Sequence, residues 1–400
     1  MSNTRHSTST DPAHAPERNL SSARLRPINV SLALAAQACR TYDTPTRHAA
    51  LWLANLAANS QRIQLCWQRR RLPDPLGTIG RISEADLAAR LGLEPLEIYR
   101  ALTGSDDADL QKFRRAVESF RAAFEKALPP LVATADMAVI ERAFRVAGED
   151  HSIVDLLGKW RHGKTEMQER QWLLNLHDTV WLDCPSNNDE RTFIFALAGC
   201  LGIGTGGGIK PSQLRDKIKR ALGIGLISRI VVDEAANLWP GDLRDAKPIR
   251  FEFLRELRDG LGVGSMLITT EQFALSMELA LQHNTRWAPG QLMGRKAQYK
   301  LRDSHTDREI RLIAKLHAGD IEDAALDGLV VFARAEEGYL GAMIEALKIA
   351  RMEAGPGTLT AAHLAAATRQ QQRDQRVKAL AGAAVPKRRG GFRVLDRRAA

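Results

Sequence analysis

The chain predicts an α/β fold, a parallel sheet flanked by helices around a phosphate-binding loop, and three observations carry that prediction. An apolar run, Ile153-Val154-Asp155-Leu156-Leu157, leads into Gly158-Lys159-Trp160-Arg161-His162-Gly163-Lys164-Thr165. The octamer satisfies G-x-x-x-x-G-K-[ST], in which backbone N–H groups wrap a polyphosphate, the lysine meets its outer charges and the hydroxyl faces Mg²⁺. Strand-like apolar segments then alternate with helical ones, the pattern of a parallel sheet covered on both faces. Finally, the apolar segment Leu226 to Val232 ends in Asp233-Glu234, two carboxylates suited to a Mg²⁺ shell and to orienting or deprotonating an attacking water.

The loop departs from its template in one respect. Arg161 stands where a third glycine commonly lets the backbone turn without a side chain, and Trp160 and His162 add bulk. The motif alone therefore leaves nucleotide affinity open.

Length allows two or three domains, since single cores rarely grow beyond about 250 to 300 residues. We expect a polar, disordered tail over 1–30, a helical region over 31–130, the phosphate-loop core over 131–303, a helical lid over 304–374 and a basic tail over 375–400. A formal charge of +10 and a pI near 9.6 suit a chain that meets a polyanion, nucleic acid or an anionic surface. Cys39, Cys66, Cys184 and Cys200 show neither C-x-x-C spacing nor a nearby histidine, which argues against a zinc site or disulfide framework and for reduced thiols. Met1 to Arg18 lacks the apolar stretch of a signal peptide, and no run reaches the ~18 residues that span a membrane, so a cytoplasmic location and no membrane partner are expected.

From Thr44, with Pro45 at the first helical position, a helix is expected to run to Arg71 and end in the basic cluster Arg62, Arg69, Arg70 and Arg71. That cluster reads either as a phosphate-contacting edge or as a solvated helix end favourable to the dipole. Ser83 to Asp86 resembles a capping box, Gly92 turns the chain, and Pro95 restarts it, giving a helix-turn-helix over about 82–104 whose second helix offers Glu97, Tyr99 and Arg100. It serves base contact or protein packing equally well. Leu110, Phe113, Val117, Phe120, Phe124 and Leu128 mark an amphipathic helix stopped by Pro129-Pro130.

Beyond the loop, helices are expected to about Leu176 and over Glu190 to Leu201, with a strand over Thr179 to Asp183. A basic helix, with Lys210, Arg215, Lys217, Lys219 and Arg220, could track phosphates or simply be solvated. A helix from Arg250 to Asp259 precedes a strand over Ser265 to Thr270, whose end could set Thr270 or Glu271 beside a γ-phosphate. Arg295 or Lys296 could lend a cation to a neighbouring subunit's transition state, or line a solvated surface. Helices from Asp307, Ile321, Tyr339 and Thr360 compose the expected lid, a gating element. Lys387, Arg388 and Arg389 lie in the tail, where sequence-independent contact to DNA is electrostatically favourable.

From about Ile82 to Arg369 the order of elements resembles the AAA+ ATPases of DNA transposition systems, in particular target-capture ATPases of the Mu B type. The residues carrying that resemblance are Ser152-Ile153 running into Gly158 to Glu166, Thr192 to Leu201, Val231 to Ala235, Leu292-Met293-Gly294-Arg295, and Gly338-Tyr339-Leu340 leading to Leu347 to Ala350. It implies an ATP-dependent protein that forms a homo-oligomer, a filament or ring, on duplex DNA without sequence preference and delivers target DNA to a transposase that stimulates its hydrolysis. Carried over by position, Gly158, Gly163, Lys164, Thr165 and Glu166 match the ATP-binding segment, and Thr165 and Asp233 the Mg²⁺ positions. Glu234 matches the water position, Thr270 and Glu271 stand at the first sensor, and Arg295 matches the finger acting across subunits. Two departures stand out: Thr270-Glu271 replaces an asparagine, and Gly341 occupies the place of a lid arginine. The alternative is a helix-turn-helix adaptor or regulator whose ATPase scaffold hydrolyses weakly.

Overall fold

The computed structural model describes residues 35, 37–70, 76, 82–187, 189–206, 208–239, 247–282, 296–335 and 339–371. The expected tails over 1–30 and 375–400, with Lys387, Arg388 and Arg389, lie outside the described residues, as does Arg295. Five parallel strands form one sheet in the order β2-β3-β4-β1-β5: β1 is Ile153–Leu157, β2 Thr179–Asp183, β3 Arg229–Asp233, β4 Gly264–Thr269 and β5 Lys296–Lys300. Every residue of β1 and β4 is buried, as expected of central strands covered on both faces. Because all strands run the same way, the loops after β1, β3 and β4 emerge on one edge, and ligands of open α/β sheets bind at that carboxyl edge.

β5 was not expected. Its sequence, Lys296-Ala297-Gln298-Tyr299-Lys300, lacks the continuous apolar run of the other strands because it is an edge strand, paired only with β1. Lys296 also serves neither as a surface cation nor as one reaching a neighbour. Its ammonium is buried, 2.9 Å from Asp155 in the middle of β1, and the hydroxyl of Thr269 donates to the same carboxylate at 2.5 Å. Asp155 would be an isolated charge inside the sheet without these partners.

The expected helix from Thr44 to Arg71 is two, Thr44–Ala58 and Ser60–Arg69. Asn59 breaks it: its side-chain amide donates to the Asn55 side chain at 2.6 Å and to the Cys200 carbonyl at 3.2 Å. Asn55 in turn donates to the carbonyls of Leu176 and Thr179 at the entrance to β2. These helices thus dock on the sheet, and among the described residues one hydrophobic core includes both the helices and the strands, from Ala35 to Leu301. Trp52, Phe120 and Phe124 interlock edge to face within it.

The basic cluster ending the second helix has a role other than either expected. Arg62, Arg69 and Arg70 converge on Glu169, which is 1% exposed on the helix Lys164–Leu174 that follows the phosphate loop. Arg70 lies 2.9 Å from that carboxylate, and the Arg62 guanidinium carbon lies 4.5 Å from the Trp181 ring centre while Arg62 also pairs with Asp183. A single buried carboxylate anchors three cations from another helix.

The helix-turn-helix forms as expected. Ser83 and Asp86 exchange both bonds of a capping box, Gly92 takes the left-handed conformation at φ 62°, and Pro95–Thr103 follows. After β5, helices Asp307–Ala318, Asp323–Ala335 and Tyr339–Ala354, with a further helix over 361–371, enclose a second core from Ile310 to Ala367. The fold is therefore α/β, a parallel-sheet core flanked by helices with a C-terminal helical lid and an all-α N-terminal region.

Removing the anchor exposes its worth. Glu169→Gln leaves three guanidinium groups around a neutral amide and is expected to destabilise the chain by about 3 kcal/mol or more, the usual result of breaking a buried ion pair. Urea unfolding followed by tryptophan fluorescence reads this directly, and an unchanged midpoint would mean the arginines are solvated instead.

Candidate phosphate-binding site

The loop between β1 and the helix Lys164–Leu174 owes its shape to two glycines. A Cβ at Gly158 would meet Leu301 and the Lys164 stem at 3.1 Å, and Gly163 caps the helix in the left-handed conformation at φ 80°. Three non-glycine residues among those described share positive φ, and two of them, Arg161 at 58° and Glu234 at 51°, border the cavity above the loop. Left-handed backbone is strained for such side chains, and strain of this kind gathers at functional sites.

That cavity, about 440 Å³, opens at the carboxyl edge of the sheet, between the core and the lid. The loop contributes Trp160 to Glu166, β3 contributes Asp233 and Glu234, β4 contributes Ile268 to Thr270, and the lid contributes Leu316, His317, Leu340, Gly341, Ile344 and Glu345. Lys164 is 8% exposed, and its ammonium donates to the carbonyls of Gly158 at 2.7 Å and Lys159 at 2.6 Å. Burial lowers its pKa to about 8, against the opposing pull of Asp233, Glu234 and Glu271. Such a lysine gains from an anion that restores its charge.

Asp233 ends β3, and its carboxylate accepts the N–H of Glu234 at 2.9 Å and a hydrogen bond from the Thr165 hydroxyl. Burial raises its pKa despite those bonds and the nearby Arg62. A carboxylate desolvated in this way, with a hydroxyl beside it, is a donor set that a hard divalent cation fits, so Thr165 and Asp233 could hold Mg²⁺. Glu234 is exposed beside them, reaching the cavity through its left-handed backbone.

The other sequence-read positions divide. Thr270 lines the cavity just past β4, whereas Glu271 begins the next helix and pairs with Lys300 at 3.4 Å. Glu166 reaches the cavity edge but leans 3.5 Å from Arg70. Among the expected DNA-contacting cations, Arg100 pairs with Asp107 at 3.3 Å. Arg215 pairs with Glu190 and Glu256, and Lys219 with Glu256, so the inner side of the helix Pro211–Leu222 is spoken for. Lys210, Lys217 and Arg220 remain exposed on it. The four thiols are free, and burial raises those of Cys66, Cys184 and Cys200 to about 11 and that of Cys39 to about 12, too high for a nucleophile.

His162 carries a role that sequence reasoning missed. Its side chain turns away from solvent, 1% exposed, and lies 3.0 Å from Asp136 on the helix Ala135–Glu149. Its ring stacks on His305, in the connection from β5 to the lid, with centroids 4.3 Å apart and planes 12° from parallel. Arg302 donates to Asp136 through both its backbone N–H and its guanidinium, and also to Glu309. Although the three side chains would offer metal ligands, nearly parallel stacked rings direct their in-plane lone pairs side by side, and Arg302 already neutralises the carboxylate. The group is a joint fixing the loop to the base of the lid.

No family model matches the chain, and no curated protein matches it. Among solved structures it is similar to the ADP form of the Aeropyrum pernix ORC2 protein, with a TM-score of 0.45 and 16% identity over 60% of this chain and 70% of that one. For Cdc6p from Pyrobaculum aerophilum the TM-score is 0.43 and the identity 16%, over 58% of this chain and 65% of that one. The Aeropyrum pernix ORC1 protein in complex with DNA gives 0.45 and 17%, over 64% and 70%. Likeness this distant leaves the assignment to the strand order, the loop and the residues around the cavity. No described helix is long and apolar enough to cross a membrane.

The joint gives the chain a pH dependence. Burial, reinforced by His162, lowers the His305 pKa to about 4, and burial lowers that of His177 to about 4 as well. A histidine depressed in the folded state contributes fully above its unfolded pKa near 6.5. As pH falls below that value the unfolded chain takes up protons first, so stability declines from pH 6.5 until about pH 4. Asp136 and Glu309, both held near 2, add their losses only below about pH 4. Melting temperature is thus expected to fall between pH 6.5 and 4, less steeply in His305→Gln, and a flat profile would place both histidines in water.

Proposed function

We propose that this chain is an AAA+ ATPase that binds ATP with Mg²⁺ at the loop, assembles on duplex DNA as a filament or ring, and delivers target DNA to a transposase. The observation supporting the nucleotide is the convergence of Lys164, Thr165, Asp233 and Glu234 on one cavity at the carboxyl ends of parallel strands. Loop N–H groups and the partial positive charge of a helix N-terminus meet a polyphosphate there. Lys164, already desolvated, exchanges two backbone carbonyls for phosphate oxygens.

A bound Mg²⁺ would supply charge neutralisation at the outer phosphates, with Thr165 and Asp233 its holders. Glu234 stands one residue further along the chain, where a carboxylate can align a water and accept its proton. Thr270, at the end of β4, offers a hydroxyl to the same space. Lid helices cover the opposite side, so nucleotide occupancy and lid position depend on each other.

The polyanion half of the proposal rests on charge and on the resemblance described above. A net charge of +10 and the exposed Lys210, Lys217 and Arg220 favour phosphate contact without base readout. Transposase delivery follows from resemblance alone. The adaptor reading draws on Arg161 and Gly341, and nucleotide binding separates the two.

Lys164→Ala is expected to abolish ATP binding in titration calorimetry, while Glu234→Gln binds ATP and releases no phosphate. Absence of binding by the unaltered chain in Mg²⁺ leaves the adaptor. With a slowly hydrolysed ATP analogue, electron microscopy is expected to show assemblies on arbitrary duplex DNA that dissolve steeply with added salt. Nucleotide-independent binding by a fixed dimer at one sequence would count against the ATPase reading.

A further inference from the structure

The geometry points to Arg161 as the residue that reads the outermost phosphate, a cation supplied by the loop itself and seated on the lid at Gly341. This rests on the nucleotide reading of the site and adds a determinant of triphosphate selectivity to it.

Four observations converge. Arg161 accepts left-handed backbone at φ 58°, a conformation that glycine adopts without strain, so something holds the arginine there. Its stem fills the space over Gly341: a Cβ at that position would lie 2.8 Å from the Cβ and Cδ of Arg161 and 3.0 Å from its Cγ, and those are the three nearest atoms. The lid therefore provides a seat that only glycine leaves open, and the arginine occupies it. Both residues line the cavity that holds Lys164, Thr165, Asp233 and Glu234.

The fourth observation concerns the charge. Arg161 is exposed, its guanidinium rests 4.6 Å from the Trp160 ring centre, and no carboxylate of the described residues pairs with it. Neighbouring arginines differ: Arg302 and Arg70 are each bound to carboxylates. A guanidinium held by an aromatic face keeps its five N–H donors for an incoming oxyanion. Lying between loop and lid, it faces the end of a polyphosphate chain whose inner groups the loop N–H groups enclose. A triphosphate reaches it and a diphosphate falls short, so the residue selects ATP over ADP and senses whether the lid is seated.

The purified chain is titrated with ATP and with ADP in Mg²⁺, comparing the unaltered protein with Lys164→Ala, Arg161→Gly and the double variant Arg161→Gly with Gly341→Arg. Arg161→Gly relieves the positive φ while deleting the cation, so misfolding does not confound it. We expect it to weaken ATP binding about tenfold while leaving ADP nearly unchanged, the loss of one charge-assisted contact. The double variant, which moves the cation to the other side of the same contact, is expected to recover most of the ATP preference. A wild-type ratio of ATP to ADP affinity in Arg161→Gly, or a double variant as weak as the single, overturns the inference. If the unaltered chain binds both nucleotides, Lys164→Ala binds neither, and Arg161→Gly keeps the ratio, the site reading stands and this inference alone falls. If the unaltered chain binds neither nucleotide, both fall.

Discussion

A phosphate loop binds only if its N–H groups stay aimed at one point, and here buried charge fixes both of the loop's flanks. On the helix side, Glu169 is gripped by Arg62, Arg69 and Arg70, so the helix that continues the loop cannot slide along the sheet. On the other side, His162 enters the protein and meets Asp136, whose second partner, Arg302, belongs to the chain leaving β5. On either side of His162 lie the residues that need freedom of conformation, Gly158 and Arg161 before it and Gly163 after it. Preorganisation of this kind removes part of the ordering entropy that ligand binding would otherwise have to offset. The N-terminal helices are for that reason part of the site's support, and they share its core.

Much of this was legible from local patterns. Period and composition placed β1 to β4, the amphipathic helix Leu110–Lys126 and the capped helix-turn-helix, because each is specified by residues a few positions apart. The loop glycines, Lys164, Thr165 and Asp233 were equally visible, since their chemistry demands those residue types at that spacing. What sequence reading missed was set by distant partners. Arg69 and Glu169 lie 100 residues apart, and Lys296 and Asp155 lie 141 apart, so a cation that ends a helix and one that opens a strand looked solvated. β5 escaped because an edge strand need not be apolar. His162 read as bulk in a loop because the stacking ring comes from His305, beyond the whole sheet.

Buried charge recurs in this chain at joints between layers. Asp155 ties the central strand to the edge strand, Glu169 ties core to N-terminal helices, and Asp136 ties core to lid. An apolar contact tolerates small slips of one element past another. An ion pair with two or three defined hydrogen bonds does not, because a displacement of about one ångström leaves a charge unpartnered in a medium that solvates it poorly. Such pairs add little net stability over apolar packing, yet they fix register. The chain has them where register matters to the cavity.

The lid touches the loop at two successive residues, and that arrangement has a mechanical consequence. His305 at the lid's base stacks on His162, a contact that stays closed if the lid pivots about it, while Gly341 further along the lid carries the stem of Arg161. Rotation about the first contact therefore opens or closes the second, and the second is the one beside the cavity. The backbone at Arg161 is at positive φ with Gly341 against its stem, so withdrawal of the lid would free that strained conformation to relax. Any ligand that draws Arg161 toward the cavity must then bias the lid, and by linkage any partner that seats the lid must tighten the ligand by the same factor.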